Sequence, residues 1–168
     1  YIDELKSTTA NKERIESELR IARGIQMGMI PKSFPAFPER EDIELAARLV
    51  PAKEVGGDLY DFFIENDKFY FIIGDVSGKG IPASLVMAVT CRLFRSVSAH
   101  LDKPEEIITS LNDSLSDGNE SNMFCTAILG IGILSGCFDC TFVGLRTGIG
   151  KEHSIHTGNL LQLFGSFN

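Results

Sequence analysis

The sequence contains no tryptophan, only four cysteines, no run of basic residues and no long apolar stretch. Four cysteines in 168 residues are too few for a disulfide framework, which favours a reducing compartment. The net charge is −7, and Lys and Arg form no cluster that could bind the phosphates of a nucleic acid. We therefore expect no nucleic-acid partner. No apolar stretch approaches the roughly 18 residues that span a bilayer, and no signal peptide is evident. These absences make a cytoplasmic location the simplest expectation.

A hydrophobic content of 43% is enough for a real core. The chain starts at Tyr1 rather than Met, and we expect it to be a piece of something longer. The composition along the chain predicts three parts: a linker or coiled-coil helix at 1–30, a domain at 31–143 and an atypical tail at 144–168.

Residues 2–29 predict one long helix, because they are rich in charge and lack proline. Heptad spacing marks a seam along it, at Leu5, Thr8, Lys12, Ile15, Leu19, Ala22, Gln26 and Met29. One interpretation is a surface helix packed on its own domain. The interpretation we favour is a parallel coiled-coil stalk that pairs two copies of the chain through Ile15, Leu19 and Ala22. A seam interrupted by polar residues pairs helices weakly, and weak pairing is more suitable for a linker that changes conformation than for a rigid rod.

Further along, alternating and apolar runs predict strands and helices. The pattern favours strands at 43–50, 59–64, 69–73, 123–134 and 137–143, with a hairpin turn at 65–68. The apolar pattern at 43–50 also fits a short helix. Helices are expected at 81–100 and 104–115, each with a proline in its first turn. The apolar face expected for the first of them is Leu85, Val89, Leu93 and Val97, and for the second Ile107, Ile108, Leu111 and Leu115.

Two glycine-rich turns that contain aspartate are the candidate functional site. They are Gly56-Gly57-Asp58 and Gly74-Asp75-Val76-Ser77-Gly78-Lys79-Gly80, and the predicted hairpin joins them. The second turn fails the phosphate-loop pattern, because Ile73 and Gly80 stand where glycine and a hydroxyl residue are needed. Asp75 ends a strand that we expect to be buried, so its charge needs a cation, either Lys79 or a metal. Two carboxylates close together suit a hard ion such as magnesium or manganese.

Ala22-Arg23-Gly24-Ile25-Gln26, Val55-Gly56-Gly57-Asp58-Leu59-Tyr60-Asp61 and Gly74–Gly80, in this order, resemble the bacterial PPM-type serine/threonine phosphatases that regulate sporulation and stress sigma factors. The resemblance implies an α+β fold, a β-sandwich flanked by helix layers, incomplete here at its C-terminus. It implies two Mn²⁺ or Mg²⁺ ions that activate water, with Asp58 and Asp75 as catalytic metal ligands and the Val76 carbonyl as a further ligand.

The resemblance also implies partners. They are a phosphoprotein substrate of the anti-sigma-factor antagonist type, an upstream sensor or receiver domain, and a second copy of the chain bound through the N-terminal helix. Gln26 belongs, with the seam residues, to the linker expected to act on the helices at 81–100 and 104–115. The location implied is the cytoplasm, or the cytoplasmic part of a membrane-anchored sensor.

The chain departs from that family after about residue 142. The later metal-binding aspartates are missing, since Asp139 is the last aspartate. We therefore expect a half-built site and near-inactivity. The alternatives are a non-catalytic dimerisation or docking module, and a small metal-binding regulator that uses Cys137, Cys140, His153 and His156. The histidine spacing of that set is one residue short for a zinc finger, which favours strand cysteines and loop histidines.

Overall fold

The computed structural model describes residues 2–51, 53–134, 140–146 and 156–159 of the chain. These residues form, in chain order, α1 (Ile2–Gly28), β1 (Leu59–Glu65), β2 (Lys68–Val76), α2 (Ile81–Ser98), α3 (Pro104–Ser116), β3 (Cys125–Ile133), β4 (Cys140–Arg146) and β5 (His156–Asn159). The combination of helices with an antiparallel sheet confirms the predicted α+β class. The predicted helix ends agree to within about two residues, the usual uncertainty of helix boundaries.

The strands form one antiparallel sheet in the order β1-β2-β3-β4-β5, so each strand lies beside its neighbours in the sequence. The two-sheet sandwich that the resemblance implied needs a second sheet, which the described residues do not form. Strand β4 continues to Arg146, past the boundary predicted at residue 143. Strand β5 lies inside the predicted tail.

Strands β1 and β2 form the predicted hairpin, closed by Asn66 and Asp67. These two residues have φ values of 51° and 57°. Positive φ at both central positions is typical of the type I′ turn, whose twist matches that of paired strands. The turn fixes the register, and Leu59 pairs with Gly74 at the open end of the hairpin.

Helices α2 and α3 cover one face of the sheet. The core between them and the sheet includes Met87, Phe94, Ile107, Ile108, Leu111, Leu59, Ile72 and Leu129. Ile107, Ile108 and Leu111 were predicted on the apolar face of α3, and their burial confirms that face.

The apolar face predicted for α2 is only partly correct, since Leu93 and Val97 pack against the core and the other two residues do not. Leu85 is 63% and Val89 is 50% exposed, whereas Met87 and Phe94 are fully buried. Helix α2 is apolar around much of its circumference, so spacing alone does not identify the side that meets the sheet. It is also long and apolar enough, by length and composition, to cross a membrane, although the sequence analysis found no such stretch. A core helix passes the same test, and α2 supplies side chains to the core.

The strand predicted at 43–50 is also wrong, because this segment belongs to no sheet among the described residues. Its burial does alternate, with Ile43, Leu45 and Ala47 partly buried on a cluster of aromatic side chains. That cluster is Phe62, Phe69 and Phe71, on the sheet face opposite the helices. The two-residue period therefore reflects an extended chain packed on a sheet face, without ladder hydrogen bonds of its own.

Helix α1 confirms the long helix predicted from the sequence. Every residue from Leu5 to Glu18 is exposed, whereas Leu19 and Ala22 are partly buried and Gln26 is buried. The helix therefore joins the domain only through its last turns. Pairing of two copies through its seam remains a prediction.

Candidate metal centre

Asp58 and Asp75 face each other across the open end of the β1–β2 hairpin. The register that pairs Leu59 with Gly74 sets these two positions opposite one another. The pKa of Asp75 is raised, first by partial desolvation, then by the negative charge of Asp58 and by a hydrogen bond between the two side chains. Two carboxyl groups can share such a bond only when one is protonated, so a cation would compete with that proton.

Both carboxyl side chains are exposed. From the sequence we expected Asp75 at the end of a buried strand, and the structure corrects this. Strand β2 is buried at Ile72 and Val76, but Asp75 lies on the other face of the strand. The charge of Asp58, and not burial alone, thus raises the pKa of Asp75.

The two glycine turns touch directly. The Val76 N–H donates a hydrogen bond to the Gly57 carbonyl at 3.3 Å. A Cβ at position 57 would lie 2.6 Å from the Val76 carbonyl oxygen, so only glycine allows this approach. The Val76 oxygen therefore lies against Gly57, the residue before Asp58.

The second turn leaves the sheet through Gly78, whose φ is 88°, and enters α2 through Gly80. Lys79, between them, is exposed. None of the ion pairs in the described part of the chain joins Lys79 to Asp75. Of the two cations considered from the sequence, Lys79 is therefore not an ion-pair partner of Asp75 in this part of the chain.

The described residues bring only two carboxylates together at this point. Within the described ranges, no group of three or more His, Cys, Asp and Glu side chains could hold a metal ion. Asp61 is close in sequence, but its side chain is committed to an arginine on the helix-covered face. Asp117 lies at the end of α3, and Asp139 falls outside the described residues.

The Asp61–Arg95 ion pair ties β1 to α2, and it was not predicted from the sequence. The Arg95 Nε and Nη2 donate to the two Asp61 carboxylate oxygens at 2.7 and 2.6 Å. The same guanidinium donates to the Phe62 carbonyl at 3.2 Å and lies 5.0 Å from the centre of the Phe63 ring. An aspartate at an inward position of an apolar strand was the available signal, because a buried carboxylate requires a partner.

Gln26 connects α1 to the first glycine turn. Its Nε2 donates to the Gly56 carbonyl at 2.6 Å, and its Oε1 accepts from the Gly56 N–H at 3.3 Å. Nε2 also lies 3.5 Å from the Met87 sulfur on α2. Of the other linker residues, Ile15 is exposed, and Leu19 and Ala22 are half-buried. Gln26 thus joins the helix, the turn and α2 at one point.

Cys125 lies beneath the second turn. A Cβ on Gly74 would be 3.2 Å from the Cys125 sulfur. Burial, with the nearby Asp75 charge, raises the pKa of the Cys125 thiol to about 12. The group therefore stays a neutral thiol at physiological pH and is a poor metal ligand.

The alternative zinc set is only partly placed. Cys140 begins β4 and His156 begins β5. His156 pairs with Gly144, whereas Asn159 pairs with Thr141, so the two residues lie toward opposite ends of this pair of strands. Cys137 and His153 fall outside the described residues, and the set stays untested.

Comparisons with known proteins agree with this architecture. Residues 65–141 match the family model of the stage II sporulation protein E, SpoIIE. The phosphoserine phosphatase RsbU of Bacillus subtilis is 30% identical over 115 residues, which cover 68% of this chain and 33% of RsbU. Protein IcfG of Synechocystis is 33% identical over 105 residues, covering 61% of this chain and 16% of IcfG. The chain thus spans a third or less of these relatives.

Two solved structures share the fold. The SiaA-PP2C domain of Pseudomonas aeruginosa gives a TM-score of 0.70 at 17% identity, covering 89% of this chain and 68% of that one. The PP2C phosphatase domain of SpoIIE from Bacillus subtilis gives 0.50 at 18% identity, covering 63% and 38%. These likenesses establish a PP2C-like fold. The sequence matches show that this part of the chain is similar to the SpoIIE/RsbU class of PPM-type phosphatases.

Proposed function

We propose that this chain is part of a metal-dependent protein serine/threonine phosphatase. Its substrate would be a phosphorylated regulatory protein of the anti-sigma-factor antagonist type, in bacterial signal transduction. One observation carries the proposal: the hairpin register sets Asp58 opposite Asp75, and the Val76 carbonyl lies against Gly57, the residue before Asp58. The relative named a phosphoserine phosphatase supports the same chemistry.

The donor atoms at this point suit Mn²⁺ or Mg²⁺. Two carboxylates and a carbonyl are oxygen donors, which hard divalent ions prefer over nitrogen or sulfur. Asp75 and Asp58 would hold such an ion, with the Val76 oxygen as a further ligand. When bound, the ion would lower the pKa of a coordinated water and neutralise charge on a phosphoryl group.

Three features of the surrounding residues favour metal and substrate binding at the proposed site. Gly57 lets the two turns touch, so the carboxylates converge from both strands of the hairpin. Exposure of both aspartates leaves them open to a phosphorylated side chain from another protein. Lys79 is exposed on the same turn, where its ammonium can attract an anionic substrate.

We infer that the 168-residue chain by itself is near-inactive. The family's second ion, as the resemblance implies it, relies on further carboxylates, and the described residues bring only two together. Loss of one such electrostatic contribution costs on the order of a hundredfold or more in rate. Loss of several ligands would leave almost no turnover.

The finding that the described residues bring only two carboxylates together also favours a second candidate function. A domain that keeps the hairpin and α1 without a full metal site would serve as a non-catalytic dimerisation or docking module. Both candidates share the proposed context: a cytoplasmic location, an upstream sensor or receiver domain, and a homodimer formed through α1.

Turnover of a phosphoserine peptide with manganese separates the two candidates. We expect almost none from this chain, and clear activity from a longer protein that contains these residues and supplies the missing carboxylates. Asp75→Asn in that longer protein should abolish the activity. Strong manganese-dependent turnover by this chain alone would contradict the half-built site, whereas inactivity of the longer protein would favour the docking module.

A further inference from the structure

The second glycine turn is fastened to the loop between α3 and β3. The Ser77 N–H donates to the Phe124 carbonyl at 2.7 Å. In return, the Phe124 N–H donates to the Ser77 hydroxyl oxygen at 2.9 Å. Ser77 and Phe124 are the next positions after Val76 and Cys125 in the β2–β3 register.

These bonds differ from an ordinary antiparallel ladder. In such a ladder the two residues exchange both backbone bonds, so Phe124 would donate to the Ser77 carbonyl. Here the serine hydroxyl accepts from the Phe124 N–H. The backbone after Ser77 leaves the sheet and turns at Gly78, where φ is 88°.

The first of these bonds also orients the Val76 carbonyl. The Val76–Ser77 peptide is planar and trans, so its C=O points opposite to its N–H. Since the Ser77 N–H points at Phe124, the Val76 carbonyl points away from the α3–β3 loop. It lies on the side where a Cβ of residue 57 would come within 2.6 Å of its oxygen.

The loop that holds Ser77 is itself braced. The Asn119 side chain donates to the Met123 carbonyl at 2.6 Å and accepts from the Met123 N–H at 3.1 Å. Thr126, on the other side of Phe124, donates through its hydroxyl to the Asp75 carbonyl at 3.3 Å. A continuous set of hydrogen bonds therefore leads from the end of α3 to the candidate metal turn.

We propose that Ser77 is a positioning residue of the metal site: with Phe124 it fixes the direction of the Val76 carbonyl, and the α3–β3 loop braces that pair. This role rests on the proposed metal-binding function. It gives Ser77 no contact with the reaction itself. It makes the geometry of the metal turn depend on a loop that neither acidic motif contains.

Hydrogen exchange on the metal-free 168-residue chain tests the bond itself. Ser77→Ala removes the hydroxyl acceptor and should speed exchange of the Phe124 amide roughly threefold to tenfold, the equivalent of one neutral hydrogen bond. Ser77→Thr keeps the hydroxyl and should restore protection. Unchanged exchange in Ser77→Ala overturns the inference, whatever manganese does.

Manganese binding by the same variants tests the positioning role. Calorimetry should show Ser77→Ala binding Mn²⁺ roughly threefold to tenfold more weakly than the parent, with Ser77→Thr close to the parent. The Mn²⁺ electron paramagnetic resonance line shape should change in Ser77→Ala, because the carbonyl ligand is displaced. A merely structural bond would alter hydrogen exchange and leave affinity and line shape as in the parent, and that result would overturn the positioning role.

Failure of the proposed function gives a different pattern. If Asp75→Asn binds manganese as well as the parent, the metal site is not where we place it, even where Ser77→Ala exchanges faster. If Asp75→Asn abolishes binding and Ser77→Ala matches the parent, the site stands and only the role of Ser77 is wrong. Asn119→Ala supplies a third check, since it should weaken binding in the same direction as Ser77→Ala.

Discussion

At the scale of single residues, the Asp58–Asp75 pair links the stability of the fold to pH. A raised pKa means that folded Asp75 holds its proton more tightly than the unfolded chain does. The resulting stability is fully present below the ordinary value of 3.8 and is lost as the pH rises through the raised pKa. The Asp75 carboxylate thus weakens the metal-free fold, although the proposed site would use it as a ligand.

We expect Asp75→Asn to remove this pH dependence. In the presence of a chelator, the variant should gain stability relative to the parent as the pH rises from about 3.5 to 7, because an amide has no proton to lose. The gain should stay under about 1 kcal/mol, since the side chain is exposed. Urea unfolding midpoints at several pH values measure it, and Asp58→Asn should act in the same direction. A difference between parent and variant that does not change with pH would contradict the assignment.

The Asp61–Arg95 pair gives a second residue-level prediction. The Asp61 side chain is 1% exposed and that of Arg95 is 42% exposed. Arg95→Ala should cost about 2–3 kcal/mol of unfolding free energy, because it leaves a buried carboxylate without its charge partner. Arg92→Ala, on an exposed position of the same helix, should change stability by under about 0.5 kcal/mol.

The cause of that loss can be isolated with a double variant. Asp61→Asn added to Arg95→Ala removes the buried charge and should recover part of the lost stability. Urea unfolding of Arg95→Ala, Asp61→Asn and the double variant gives the three losses of unfolding free energy. If the two single losses add up to the loss in the double variant, the pair makes no coupled contribution.

At the scale of whole elements, α1 is helical but largely uncovered, so the proposed pairing can be tested directly. Leu19→Asn places an amide on the predicted seam and should shift the chain toward monomer in sedimentation, because the seam loses apolar contact. Arg20→Asn, the exposed neighbour off the seam, is the matched control. An unchanged mass for Leu19→Asn would exclude pairing through this seam.

The end of α1 gives a separate prediction through Gln26. Gln26→Leu removes both hydrogen bonds to Gly56 and should cost about 2 kcal/mol, since the backbone groups of that turn lose their partner. Arg23→Gln is a suitable control. It removes the Arg23–Glu54 ion pair, which joins the same two segments but is about half-exposed, so little stability should be lost. Equal losses in the two variants, measured by thermal unfolding, would contradict a special role for Gln26.

At the scale of the whole molecule, local signals carried the prediction of the fold. The Asn66-Asp67 turn predicted the hairpin, and Pro82 and Pro104 marked the first turns of α2 and α3. These features depend on neighbours in the sequence, so a sequence displays them. The meeting of Asp58 and Asp75 was predictable for the same reason, because a two-residue turn fixes which positions face each other.

Contacts that depend on the rotation of a helix, or on a distant loop, were not predictable. The core face of α2 was predicted only in part, because two sides of that helix are apolar. The partners Arg95 for Asp61 and Phe124 for Ser77 lie 34 and 47 positions away in sequence, and no local pattern marks them. The segment at 43–50 has the period of a strand, but no strand pairs with it within the described part of the chain.

The hairpin between the two acidic turns also limits how the length of such sequences can vary. Strand pairing advances by about 3.3 Å per residue and alternates faces, so one residue inserted into β1 alone would carry Asp58 past Asp75 and onto the opposite face. Additions are compatible with the site only if both strands grow equally or the loop at the tip lengthens. Among related sequences, the distance between the two acidic motifs should therefore change in steps of two, or through insertions at Asn66-Asp67, and a sequence that breaks this rule should have lost the acidic pair.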